Sequence, residues 1–180
     1  MNALIEVGVK AMADTLLKKE EVKEHSDALE PAFAEFDINT PNRICAALAQ
    51  FAHETGGFRW LRELGSAKYL ARYDGRKDLG NIHPGDGARF RGRGYIQITG
   101  RDNYTRMAER LNLPLLDQPE LAQQPAIAAR ISACWWAEHG LNELADGRRF
   151  RSITRVINGG LNGYEDRQRR YRQLLEMVNG

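Results

Sequence analysis

Residues Thr40 to Glu63 constrain this chain more than any other stretch, above all the run His53-Glu54-Thr55-Gly56-Gly57-Phe58. Thr40-Pro41 reads as a helix start: a capping hydroxyl, then a proline whose missing N–H costs nothing in the first turn. Ile44, Ala47, Leu48, Phe51 and Ala52 recur at helical spacing and form one apolar face. Glu54 follows Phe51 by three residues and extends that face. Gly56-Gly57 end the helix just beyond it. A carboxylate at the end of an apolar stripe is expected to be partly dehydrated. Burial disfavours the charged form of a carboxyl, and a carboxyl that keeps its proton suits general-acid work. Glu63 follows nine residues later, in a segment with turn character.

His53-Glu54 also begins like a zinc-protease helix. That motif requires a second histidine where this chain has Gly57, so the zinc reading is excluded. The 180 residues suffice for one domain with its own core, and 1–180 is read as a single domain. A net charge of +2 gives no strong case for nucleic acid as a partner. Cys45 and Cys134 each lie in an apolar helical run and read as small core residues, with pairing between them left open. No apolar run is long enough for a transmembrane helix. The first twenty residues lack the pattern of a secretory signal peptide, so the product is expected to begin in the cytoplasm.

Apolar spacing over 3–20 is roughly helical, weakened by Gly8. Glu20 to Glu24 reads as a charged link, and Ser26-Asp27 as the cap of a short helix. From Gly65 to Gly94 glycines recur too often for a long helix. Tyr69, Arg72, Tyr73 and several aspartates mark this loop as functional rather than disordered. Tyr95 to Thr99 alternates like a strand, placing Gln97 and Thr99 on one face, with Gly92 and Gly94 permitting close backbone approach. Helices are expected at Arg101–Leu111, Gln124–Gly140, Phe150–Ile157 and Tyr164–Val178, with a turn at Leu141–Gly147. In Trp135-Trp136 one ring is expected in the core. Arg167, Arg169, Arg170 and Arg172 read as a solvated basic face of the last helix.

Taken together, HETGGF with a glutamate nine residues on, then GRGYIQITGRDNY, then VINGGLNG followed by an arginine, resembles the family 19 glycoside hydrolases. Within them the chain is most similar to phage endolysins and bacterial lysozyme-like members. The resemblance runs from about Thr40 to the C-terminus. It implies a mainly α, lysozyme-like, two-lobed fold with a small β-hairpin or short strands and a central cleft. It implies a single catalytic domain without a separate wall-binding module. The implied reaction is cleavage of a β-1,4 bond beside an N-acetylated aminosugar, by inversion. Carried over position by position, Glu54 is the general acid, Glu63 the general base, and Thr99 a hydroxyl that helps hold the attacking water. Gln97, Asn103 and Asn158 line sugar subsites with His53, and Arg167 stands behind the acids. Ser66 and Tyr69 stand in for a tyrosine- and asparagine-containing run that often follows the base. Plant-type members carry an acid near position 162, where this chain has Asn162.

Inversion needs a protonated carboxyl and an ionised one about 6.5–9.5 Å apart, with room for water between them. Nine residues of chain reach that span easily. No cofactor or metal is called for. The expected substrate is the glycan of bacterial peptidoglycan, cleaved as a muramidase or a glucosaminidase. The alternatives are a chitinase acting on chitin oligomers and a catalytically inactive glycan-binding protein. A monomer is expected. It would stay in the host cytoplasm until another factor releases it to the periplasm and wall, with the C-terminal basic helix touching an anionic envelope.

Overall fold

The Thr40-Pro41 start works as its chemistry dictates. Thr40 Oγ1 accepts the Arg43 N–H at 3.3 Å, and helix α3 runs Pro41–Glu54. The computed structural model describes residues 2–179; Met1 and Gly180, the ends of the expected domain, lie outside the described residues. The chain forms α1 (Asn2–Met12), α2 (Lys19–Glu35), α3, α4 (Ala67–Leu70), α5 (Asp86–Arg89), α6 (Arg101–Leu111), α7 (Pro125–Glu138), α8 (Leu141–Asp146), α9 (Phe150–Asn158) and α10 (Tyr164–Asn179).

α3 is the axis of the molecule. Every residue from Ile44 to Ala52 is buried, so the helix is enclosed on all sides rather than on the single face its periodicity suggests. α1, α8 and α10 pack around it, and α2 packs on α7. Four of the enclosed residues are alanines, which let the neighbours come close. Gly8 of α1 is part of the same fit: a Cβ there would stand 2.6 Å from Leu48 Cδ1 and 3.3 Å from Leu174 Cδ2. The glycine that weakens α1 as a helix is what brings α1 onto α3. Phe51 carries the packing outward, stacked on Tyr95 at 5.9 Å and edge-on to Trp136 at 6.0 Å.

Several elements differ from the sequence reading. Ser26-Asp27 caps nothing, because α2 continues through both. Ser26 Oγ donates to the Lys23 carbonyl and Asp27 pairs with Lys23, so both side chains are spent within the helix. α2 starts instead where Glu21 accepts the Lys18 N–H at 2.8 Å, and the charged 20–24 segment is its first turns. The expected turn at Leu141–Gly147 is instead the short helix α8, Leu141–Asp146, capped by Gly147, with Leu141, Asn142 and Ala145 buried. The expected strand at Tyr95–Thr99 is a turn. Two isolated bridges, Arg62 with Arg93 and Arg93 with Ile98, are all that remains of the hairpin. Tyr95, Ile96 and Ile98 are all buried, so burial does not follow the alternation.

Trp136 is fully enclosed, its indole N–H donating to Asn142. Trp135 is half-buried and stacks on His139 at 3.6 Å. Cys45 and Cys134 are both buried and free, and burial pushes each thiol up to about 11. Among the described residues no helix is long and apolar enough to cross a membrane.

Candidate active site

Glu54 is the last residue of α3, and its side chain is 19% exposed. Its surroundings correct the expectation of an apolar shield. Oε1 lies 2.5 Å from Nη2 of Arg167, which reaches in from α10 and is 2% exposed. The other prong of that guanidinium donates to Gln50 Oε1 at 2.6 Å, one helical turn before Glu54. Gln50 Nε2 then donates to Thr154 Oγ1 of α9 at 2.8 Å, and Arg167 Nε donates to the Asn162 carbonyl. Gln50 and Thr154 are fully buried. Three helices therefore fix one planar fork, and the fork fixes Glu54. Arg167 leaves the solvated face its helix pattern assigned to it and pairs with Glu54.

His53 turns to the other side of the same helix end. Its Nδ1 lies 2.8 Å from Asp166 Oδ2, and its ring rests against the α-carbon of Gly163. Asp166 also takes Arg170 Nε at 2.7 Å and Arg169. Burial works to raise the Asp166 carboxyl, but the hydrogen bonds from Arg170, His53 and Arg169 outweigh it and hold the group well below the usual carboxylate range. Arg169 and Arg170 are thus both paired with Asp166, Arg170 half-buried and Arg169 at the exposed surface. Arg172 instead lines a pocket with Arg148, Arg149 and Arg151.

Glu63 is held by different partners. Tyr73 Oη donates to Oε1 and the Gly92 N–H to Oε2, each at 3.1 Å. The Glu63 N–H donates to the Gly92 carbonyl at 2.8 Å. A Cβ at Gly92 would meet Gln97 Oε1 at 2.9 Å, Thr99 Oγ1 at 3.3 Å and Glu63 Cβ at 3.4 Å. Glu63, Gln97 and Thr99 therefore converge on one bare α-carbon, and any side chain there would fill the space between them. Gln97 sits at φ +57°, with Nε2 donating to the carbonyls of Gly94 and Trp60. Thr99 Oγ1 donates to the Gln97 carbonyl and Asn103 Nδ2 to that of Thr99. Gln97 and Thr99 meet through a turn and not through a shared strand face.

Ser66 and Tyr69 have structural employment. Ser66 Oγ accepts the Tyr69 N–H at 3.2 Å as the cap of α4. Tyr69 lies under the Arg72 guanidinium, 3.7 Å from ring centroid to Cζ. Arg72 donates to the hydroxyls of Tyr69 and Tyr73, so Tyr69 meets Glu63 only through that relay. Asn158 ends α9, and its Nδ2 is enclosed without a hydrogen-bond partner among the described residues. Tyr73 and Gln50 were not singled out as site residues from the sequence, and Gly92 was read only as a point of close backbone approach. Tyr73 stood among the aromatics of the 65–94 loop. Gln50 was hidden inside the apolar run of α3. Among the described residues no cluster of three His, Cys, Asp or Glu is arranged to hold a metal ion.

The segment between the two carboxylates is itself pinned. The Trp60 N–H donates to the Thr55 carbonyl at 2.9 Å and its own carbonyl accepts from Gln97 Nε2. The residue after Glu54 and the cluster around Glu63 thus hold one loop from its two ends.

The mainly helical frame is lysozyme-like, and it carries one glutamate at the end of its central helix and a second beside a short bridge. The chain belongs to glycosyl hydrolase family 19. A Haemophilus influenzae protein described as a glycosyl hydrolase family 19 domain-containing protein is 31% identical over 160 residues, covering 73% of this chain and 78% of the relative. An Arabidopsis thaliana endochitinase is 35% identical over 119 residues; that match covers 65% of this chain and 39% of the plant protein's length. Chitinase C from Streptomyces griseus superimposes with a TM-score of 0.75 at 26% identity, over 97% of this chain and 91% of that structure. A class IV chitinase from Zea mays shares the fold at a TM-score of 0.65 and 21% identity, over 97% and 90% of the respective chains. No family model matches the chain.

Proposed function

We propose that this chain hydrolyses β-1,4 bonds beside N-acetylated aminosugars in bacterial peptidoglycan, with inversion. Glu54, beside the Arg167 guanidinium, must carry its proton against that positive charge to give it to the leaving oxygen, and Glu63 takes one from the attacking water on the opposite face of the sugar. Thr99 and Gln97 lie beside Glu63 and supply hydroxyl and amide groups to hold that water and the sugar. The observation that carries the reading is the pair of rigidly held carboxylates on one pinned loop. Arg167 fixes Glu54, while Tyr73 and Gly92 fix both oxygens of Glu63. Such fixed geometry is what positions catalytic groups.

The substrate choice is supported by charge. Arg91 stands close enough to Arg62 and to Glu63 to interact electrostatically, and Arg72 reaches Glu63 through Tyr73. An arginine excess suits a glycan that carries acids better than neutral chitin. Cleavage of chitin oligomers is the second reading, favoured by the endochitinase names of relatives. In the first reading the chain works as an endolysin, reaching the wall after release by another factor. Envelope contact then falls to the basic last helix, with the exposed Arg169 and with Arg172, which lines a pocket with Arg148, Arg149 and Arg151.

The test is Glu54→Gln assayed on purified peptidoglycan, with products analysed for their reducing end and anomeric form. The expected result is a loss of at least about a hundredfold, within the range for general-acid catalysis, with the helical signal unchanged. Wild-type product should appear first as the inverted anomer. Residual activity near wild type would remove Glu54 from the acid role, and no lysis by wild-type protein would leave only glycan binding.

A further inference from the structure

Trp60 is the one tryptophan exposed to solvent among the described residues, at 43%. Its backbone is fixed at both ends, by Thr55 on the Glu54 side and by Gln97 on the Glu63 side. The indole edge lies beside Gly56, whose Cβ position is 3.4 Å from Trp60 Cδ1. Arg59 places its guanidinium over the ring, 4.6 Å from Cζ to centroid. No carboxylate stands within ion-pair distance of Arg59, Arg62 or Arg91 among the described residues, whereas Arg167, Arg169 and Arg170 are each paired. An exposed indole covers the apolar C–H face of a sugar ring. A guanidinium stacked on an aromatic ring keeps its in-plane N–H groups free for a carboxylate. The two together match a sugar that carries an acid.

We propose that Arg59 and Trp60 form a specificity subsite between the two catalytic carboxylates for an aminosugar whose substituent bears a carboxylate, with the sugar ring on Trp60 and the acid on Arg59. The proposal rests on the peptidoglycan reading and sharpens it. Alternate sugars of peptidoglycan carry a lactyl ether and an attached peptide with free carboxyl groups, and chitin carries neither. The Arg59 guanidinium would take that acid, and Arg91 beside Glu63 adds positive charge on that side. Arg59 touches substrate in this arrangement without touching the reacting atoms.

The experiment measures kcat/KM for wild type, Arg59→Gln, Arg59→Lys and Trp60→Ala on three substrates. These are purified peptidoglycan, the same material with its carboxyl groups amidated, and a neutral N-acetylglucosamine oligomer. For Arg59→Gln the ratio of peptidoglycan to oligomer activity is expected to fall about fivefold, the upper end for an exposed ion pair. Arg59→Lys should recover part of the ratio. Amidation or high salt should shrink the difference between wild type and Arg59→Gln. Trp60→Ala should raise KM on both glycans. Wild-type cleavage of peptidoglycan with an unchanged ratio in Arg59→Gln overturns the subsite alone. Wild-type cleavage of the neutral oligomer but not of peptidoglycan overturns both the subsite and the substrate reading. Equal loss on all three substrates assigns Arg59 to the fold and also overturns the subsite; a melting temperature for each variant identifies that case.

Discussion

Arg167 Nη2 sits 2.5 Å from Glu54 Oε1, and Nη1 of the same guanidinium donates to Gln50 at 2.6 Å. One side chain from α10 thus grips two side chains a turn apart on α3. The grip depends on a planar fork, because a single ammonium cannot point along both directions at fixed spacing. Arg167→Lys keeps the charge and loses the fork. Gln50, fully buried, would be left with an unmet acceptor, a cost of about 1–3 kcal/mol. Glu54 would lose its orientation. The expected result is a drop in kcat of at least about tenfold, with urea unfolding showing a destabilisation of about 1–3 kcal/mol. Arg167→Met, which leaves both Glu54 and Gln50 without the guanidinium, should cost more, up to about 3–5 kcal/mol. Unaltered kcat in Arg167→Lys would mean that Glu54 is positioned by something else.

Much of this arrangement was legible where the physics is local. Thr40-Pro41 starts α3, and Arg101–Leu111 is α6 to the residue, because caps and periodicity act over a few positions. Partners far along the chain were not legible. His53 meets Asp166 and Glu54 meets Arg167 only because α10 packs on α3. No spacing rule reports which of four nearby arginines will turn inward. The 95–99 segment misled for a related reason. Its residues alternate in polarity, yet Tyr95 and Ile96 are both buried, because the turn is enclosed by α3 and α7 side chains rather than laid on a sheet. Glu63 was placed by resemblance, and its anchors Tyr73 and Gly92 lie 10 and 29 residues away.

His25 gives the fold an acid-sensitive point. It is buried on α2, with Nδ1 2.7 Å from the Tyr95 hydroxyl. Burial lowers its pKa, against the pull of Glu21 and a backbone interaction with Phe58. The folded state then binds its proton less readily than the unfolded chain. Above about pH 6.5 both states hold the ring neutral and no stability is lost. As pH falls below that value, stability falls by at most about 1.4 kcal/mol per unit until the folded-state pKa is reached. Asp166 acts in the same direction at lower pH. Its depressed pKa stabilises the fold above the ordinary aspartate value near 3.9 and loses that contribution as pH drops through the folded value. Thermal melts should therefore decline in two stages on acidification. His25→Gln should flatten the first, which begins below about pH 6.5, and leave the second. A first stage that survives the substitution would move the titration to another group.

Gly8→Ala sets helix propensity against packing. Alanine in place of glycine favours a helix by about 0.8–1 kcal/mol. At this site the new methyl would stand 2.6 Å from Leu48 Cδ1 and 3.3 Å from Leu174 Cδ2, in an interior already filled. Overpacking of that kind costs about 1–3 kcal/mol. The packing term exceeds the propensity term, so a net destabilisation of about 1 kcal/mol is expected in urea unfolding. A more stable variant would show that Leu48 can swing aside without loss.

Tyr73→Phe isolates the anchor of Glu63. The ring, its edge-on contact with Tyr69 at 6.3 Å and the stacking of Arg72 all remain available to phenylalanine. What goes is one hydroxyl donor to Oε1, leaving the Gly92 N–H on Oε2 as the remaining hold. A hydrogen bond to a charged acceptor contributes about 1.5–3 kcal/mol, and partial exposure puts this one at the low end. If Glu63 activates the water, the loss should appear in kcat, about tenfold, with KM nearly unchanged, because the sugar is held by other groups. If Glu63 only lines the sugar subsite, KM should rise and kcat stay. Arg72→Gln supplies the control. It removes the group that donates to the Tyr73 hydroxyl while leaving that hydroxyl in place, so its effect on kcat should be smaller than that of Tyr73→Phe. Equal effects would mean that Tyr73 serves the Arg72 cluster and not the carboxylate.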